Sequence, residues 1–123
     1  MAHILLIDDD EFFRPMLRET LTEMGHTVTE AVNGNEGLAR HADGGFDLVI
    51  TDLVMPEKEG IETIMELRAR DPALPLIAMS GGGRTLAENY LHIASKVGAD
   101  WQLTKPFNRE DLVEAIAVVM DRA

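Results

Sequence analysis

The chain has 123 residues, 46% of them hydrophobic, enough for one hydrophobic core and no more. It contains no cysteine, which excludes disulfides and thiolate metal sites, and it has neither a signal-peptide core nor an apolar run of about 18 residues. Eleven Lys and Arg against 22 Asp and Glu leave a formal charge of -11, the wrong sign for a nucleic-acid or anionic-membrane surface, so proteins and cations are the expected partners and the cytoplasm the expected location.

His3 to Ile7 is a continuous apolar run of strand length that ends on three acids, Asp8, Asp9 and Asp10. Phe13, Leu17, Leu21 and Met24 then recur at helical spacing up to Gly25; Pro15 falls in the first turn, where it is tolerated, and Asp10 is placed to cap the helix. Thr27 to Ala31 alternates weakly and suits an outer strand, after which Asn33 and Gly34 turn the chain into a short helix ending near Gly44 and Gly45. Leu48 to Thr51 is a third strand, and it stops on Asp52. Because Pro56 cannot sit in a central strand, Asp52 lies where strand becomes loop. On the next helix Ile61, Ile64, Met65 and Leu67 share one face up to Asp71 and Pro72. Pro75 to Met79 is the fourth strand and runs into Ser80 and the glycines Gly81 to Gly83. A helix from about Thr85 to Val97 carries Leu86, Tyr90, Ile93 and Val97 inward and stops at Gly98. Trp101 to Thr104 is a short fifth strand leading to Lys105 and Pro106. Leu112, Val113, Ile116, Val119 and Met120 build the last helix, with Asn108 as its N-cap.

Five alternations of strand and helix imply an α/β fold: a parallel sheet with right-handed crossovers and five helices spread over both faces. The flavodoxin-like, doubly wound strand order 2-1-3-4-5 leaves a crevice between the carboxyl ends of the first and third strands, and that crevice receives Asp8, Asp9 and Asp52. No linker, repeat or low-complexity tract divides residues 1–123, which read as a single domain without an output domain.

Three converging carboxylates repel one another, by roughly 4 kcal/mol for a pair about 4 Å apart at an effective dielectric of 20. A partly hydrated Mg²⁺ held by one or two carboxylates relieves that repulsion and is the usual companion of phosphate chemistry. Lys105 brings a positive charge from the fifth strand, and Ser80 brings a hydroxyl from the fourth. A carboxylate nucleophile, a cation site, a lysine and a hydroxyl, each at a strand end, suit phosphoryl transfer with Asp52 as the acceptor.

At these residues the chain resembles the receiver domains of two-component response regulators, over essentially its whole length. The resemblance is carried by Asp8-Asp9, by Asp52 with Met55-Pro56 and Gly60, by Ser80, and by Lys105-Pro106-Phe107. It implies that Asp52 is the phosphoacceptor, that Asp9 and Asp52 bind Mg²⁺ directly, that Asp8 acts mainly through a bound water, and that the backbone carbonyl of Val54 completes the protein's ligands. It further implies that Ser80 and Lys105 grip the phosphoryl group and that the Lys105-Pro106 bond is cis. The implied partners are a sensor histidine kinase or phosphotransfer protein, which supplies the phosphoryl group, and a downstream protein that reads the switch, with no direct nucleic-acid contact and no membrane insertion. The resemblance also implies that the domain catalyses only its own phosphorylation and dephosphorylation, with no turnover of a separate substrate expected.

The chain departs from the family where an aromatic residue normally stands three positions before the lysine: here it is Gln102. Trp101, one position away, faces the other side of the strand and reads as a packing residue. Lys58 stands where the family often has an apolar residue, and the segment between Ser80 and Lys105 is a few residues longer than usual. Asp10 reads as a helix cap rather than a third metal ligand, the four histidines as surface or packing residues, and the seven methionines as core filler. Gly81 to Gly83 lack the Lys-Ser/Thr of a nucleotide-binding phosphate loop. Two other functions compete: an aspartyl-phosphate phosphatase using the same chemistry, disfavoured because Val54 stands where the second acid should be, and a phosphorylation-independent interaction module, kept open by Gln102 and Lys58. A flavin carrier fits worst, because Asp8 to Asp10 would repel the cofactor's phosphate.

Overall fold

The computed structural model describes residues 1–53, 60–81 and 98–122. In chain order these form β1 (His3–Ile7), α1 (Phe13–Glu23), β2 (Thr27–Ala31), α2 (Gly34–Ala42), β3 (Leu48–Asp52), α3 (Gly60–Arg70), β4 (Leu76–Ser80), β5 (Trp101–Thr104) and α4 (Arg109–Arg122). All five strands are parallel in the order β2-β1-β3-β4-β5, the expected doubly wound sheet. Four of its helices lie in the described residues. The helix expected over residues 85–97, and the expectations for Val54, Lys58, Gly82, Gly83, Tyr90 and His92, fall outside them.

The continuous apolar runs are explained by burial on both faces. Every residue of β3 and β4 is buried, whereas the outer strands β2 and β5 are half-exposed. Because successive side chains alternate across a strand, each run feeds two cores. Ile4, Leu6, Leu48, Ile50, Ile77, Met79 and Leu103 pack with Leu17 and Leu21 of α1 and with Leu112, Ala115, Ile116 and Val119 of α4. Leu5, Ile7, Val49, Leu53, Leu76 and Ala78 pack with Leu38 of α2 and with Ile64 and Leu67 of α3. The expected cap at Asn108 is present, and Asn33, read from the sequence only as a turn residue, caps α2. Asn33 Oδ1 accepts from the Glu36 amide at 2.8 Å, and Asn108 Oδ1 accepts from the Asp111 amide at 2.8 Å while the Asp111 carboxylate accepts from the Asn108 amide at 3.2 Å.

Four apolar assignments need correction. Met65 is 54% exposed, and Thr63 instead takes the buried place on α3; Val113 is 47% exposed on α4. Met1 and Met16 are likewise solvent-facing, so methionine is core filler only in part. An apolar residue one position off the buried stripe satisfies the same loose periodicity while facing water. The fourth strand sits one residue later than expected, which makes Ser80 its last member and buries it completely.

The segment entering β5 is fixed from α3. Arg68 donates to the carbonyls of Leu74 (2.7 Å) and Gly98 (2.5 Å) and to the Asp100 carboxylate (3.1 Å). Asp100 in turn accepts from the Leu76 amide at 2.9 Å. Gly98 adopts φ +126°, which only glycine enters readily. Lys105 is thereby delivered to the same edge of the sheet as the acids.

Candidate functional site

Asp8 follows β1 directly and is held from three directions. Its amide donates to the Ala31 carbonyl at 3.0 Å, Oδ1 accepts from the Asp10 amide at 2.9 Å, and Oδ2 accepts from Lys105 Nζ at 2.8 Å. Its side chain has no solvent exposure. Asp52 ends β3 and is 7% exposed, with Oδ1 3.6 Å from Lys105 Nζ. One carboxylate oxygen each from Asp8, Asp9 and Asp52 lie within 4.8 Å of one another. Strand order explains the meeting: β1 and β3 are neighbours in the sheet, and both deliver their acids at the carboxyl edge.

The backbone around these groups is close-fitting. The Lys105 amide donates to the Ser80 carbonyl at 2.7 Å, tying the ends of β4 and β5 together, and the Lys105-Pro106 bond is cis. Gly60 opens α3 against the end of β3: a Cβ there would strike the Asp52 carbonyl oxygen and the Leu53 Cα, while the Gly60 amide donates to the Leu53 carbonyl at 2.9 Å. Ser80 Oγ is buried and, among the described residues, has no hydrogen-bond partner. Buried hydroxyls are normally satisfied, and this one stands at the end of β4, whose carbonyl is tied to the Lys105 amide.

Electrostatics separate Asp52 from its neighbours. Burial pushes its carboxyl up to about 6, against the lowering effect of Lys105 and with a further push from Asp8 and Asp9; the Leu53 amide lowers it slightly. Lys105 is the only ammonium paired with this cluster among the described residues, so three potential negative charges face one positive charge. A hard divalent cation among all-oxygen donors fits that imbalance.

Asp10 takes no part in the cluster. Its Oδ1 accepts from the amides of Phe12 (2.8 Å) and Phe13 (2.9 Å), which lowers its pKa and caps α1, as the sequence indicates. Gln102 is half-buried and pairs in register with Ala78, whereas Trp101 and Leu103 pack on the opposite core, so Trp101 is a packing residue and does not stand in for an aromatic at position 102.

Two residues beside the site carry no signal in the chain pattern. Arg14, 7% exposed, donates to the Asp8 carbonyl (2.9 Å) and binds Glu11 (2.8 Å) and Glu30 (2.9 Å), so it braces the backbone that presents the acids. The bond to Glu11, then that to Glu30, outweighs burial and holds its pKa above the ordinary value. Phe13 places its ring 4.3 Å from Lys105 Nζ. Arginine on an amphipathic helix ordinarily reads as solvent-facing, and Phe13 reads as core; only the spatial neighbours of each reveal the second role.

A family model described as response regulator receiver domain matches residues 4–117. The chain is 38% identical over 117 residues to the chemotaxis protein CheY of Halobacterium salinarum, covering 95% of each. It is 37% identical over 123 residues to the transcriptional regulatory protein CpxR of Klebsiella pneumoniae subsp. pneumoniae, but spans only 51% of that relative. A solved response regulator receiver domain protein from Clostridium thermocellum superposes with a TM-score of 0.91 at 31% identity, over 99% of this chain and 96% of the other.

Proposed function

The chain belongs to the response regulator receiver domains of two-component systems, and from that premise we propose that Asp52 is the phosphoacceptor of a Mg²⁺-dependent switch. Receiver domains are signalling modules that pair with histidine kinases and downstream effectors. The observation that carries the assignment to Asp52 is its convergence with Asp8, Asp9 and Lys105 at the end of a buried central strand.

In the proposed reaction an Asp52 oxygen, ionised, attacks the phosphorus of a phosphoimidazole on the donor. The O–P bond forms as the N–P bond breaks, and the imidazole keeps the electron pair and leaves neutral once its other nitrogen carries a proton. Lys105 is 3.6 Å from Asp52 and neutralises charge on the transferring oxygens, while the Ser80 hydroxyl, without a partner among the described residues, donates to one of them. Asp9 and Asp52 would hold Mg²⁺ directly, with Asp8, already bonded to Lys105, acting through a bound water; the Val54 carbonyl, outside the described residues, would complete the set. The ion supplies further neutralisation of phosphoryl charge. The reaction is self-modification, with no separate substrate turned over.

The charge of -11 supports a protein partner over direct nucleic-acid contact, and no helix among the described residues is long and apolar enough to cross a membrane, in keeping with work in the cytoplasm. The test is intact-protein mass after exposure to Mg²⁺ and a small acyl phosphate. A single phosphoryl adduct that disappears in Asp52→Asn and in EDTA is expected. An adduct retained by Asp52→Asn, or sustained release of phosphate from esters over many turnovers, would overturn the assignment.

A further inference from the structure

We propose that Phe13 is a positioning residue for Lys105, and that the Phe13-Phe107 ring pair passes the position of Lys105 to the groove between α1 and the start of α4. The proposal rests on the reading of Lys105 as the group that meets the phosphoryl on Asp52.

The Lys105 side chain is 16% exposed, and its ammonium faces three things: Asp8 at 2.8 Å, Asp52 at 3.6 Å and the Phe13 ring at 4.3 Å from the centroid. Its stem runs past Gly81, where an added Cβ would sit 3.5 Å from both Cβ and Cδ of the lysine. Two carboxylates at unequal distances leave the ammonium free to slide between them. The electron-rich face of a ring restrains it in a further direction, most effectively where water is scarce. Phe13 in turn meets Phe107 edge-on, with centroids 5.7 Å apart and planes at 79°. Both rings line a groove with Met16, Leu17, Arg109 and Leu112. A phosphoryl group on Asp52 concentrates negative charge on that side of Lys105 and draws Nζ away from Asp8. The ring that held Nζ is then released or follows it, and the groove lining changes. In a chain with Gln102 in place of an aromatic, this route leads to the α1–α4 side of the sheet, where Phe13 and Phe107 pack.

The test uses NMR of the full chain, whose three lysines make the ε-methylene signals easy to separate. In the unphosphorylated protein the Lys105 ε-protons are expected upfield of the other two lysines through the ring current of Phe13. The shift should vanish in Phe13→Leu and return in Phe13→Tyr. Phosphorylation by a small acyl phosphate should slow 3- to 10-fold in Phe13→Leu and recover in Phe13→Tyr, with Mg²⁺ affinity unchanged in both, and it should move the Met16 methyl signal in the parent but not in Phe13→Leu. Absence of the upfield shift in the parent, which needs no variant to fold, overturns the proposal. So does a rate loss shared by Leu and Tyr, or a parallel loss of Mg²⁺ affinity. If no adduct forms on the parent while the upfield shift is present, the phosphoacceptor reading fails and the Phe13-Lys105 contact stands.

Discussion

Replacing Asp52 by Asn should stabilise the domain at neutral pH in the absence of divalent cations. Burial, with Asp8 and Asp9, lifts the Asp52 carboxyl from 3.8 to about 6 despite Lys105. The folded state therefore holds the proton more tightly than the unfolded chain. The resulting stabilisation is fully present below pH 3.8 and is lost as pH rises through about 6, leaving a charged, desolvated carboxylate. A displacement of that size corresponds to about 3 kcal/mol, an upper bound because water entering the crevice softens it. Asn keeps the shape and removes the titration. Urea unfolding in EDTA should give nearly equal stabilities for the parent and the Asp52→Asn variant near pH 4, and an advantage of about 2–3 kcal/mol for the variant by about pH 7.5. Added Mg²⁺ should narrow the gap by stabilising the parent, about 1.4 kcal/mol for each tenfold excess over Kd. A stability difference independent of pH, or an Asp52→Asn variant less stable than the parent at neutral pH, would refute the picture of a strained acid cluster.

Lys105→Met removes the ammonium paired with Asp8 and Asp52, so the Asp52 carboxyl should titrate above 6 by carboxyl NMR and phosphorylation should slow at least about tenfold. Ser80→Ala deletes a buried hydroxyl that has no partner among the described residues; thermal unfolding should change by less than about 1 kcal/mol while the rate of phosphoryl transfer changes markedly, and a large loss of stability would contradict the orphan state of Oγ. Gly60→Ala drives a Cβ into the Asp52 carbonyl and should cost about 1–3 kcal/mol in denaturant unfolding. Arg14→Met strips the Asp8 carbonyl and the partly exposed Glu30 of their shared partner; a destabilisation of about 1–3 kcal/mol with weakened Mg²⁺ binding is expected, both measurable by unfolding with and without the ion.

The amino-acid sequence by itself determined the strand runs, their order along the chain and the residues at their ends. The reason is local: a central parallel strand is buried on both faces, so Leu48 to Thr51 and Leu76 to Met79 must be apolar or β-branched throughout, and each strand ends on the next polar residue, Asp52 or Ser80. Asn108 was legible for the same reason, since a cap is a demand on one residue and its near neighbours. Only the tertiary structure decided which polar groups meet. Lys105 reaches Asp8 across 97 residues of chain, Arg14 reaches Glu30 from a neighbouring element, and Phe13 becomes a partner of Lys105 only once α1 lies beside the end of β5. The exposure of Met65 and Val113, and the complete burial of Ser80, were likewise set by how helices and strands dock. Helical period and strand length constrain which residues share a face, but the pairing of distant faces, and with it the charge balance around Asp52, follows from packing across the sheet edge.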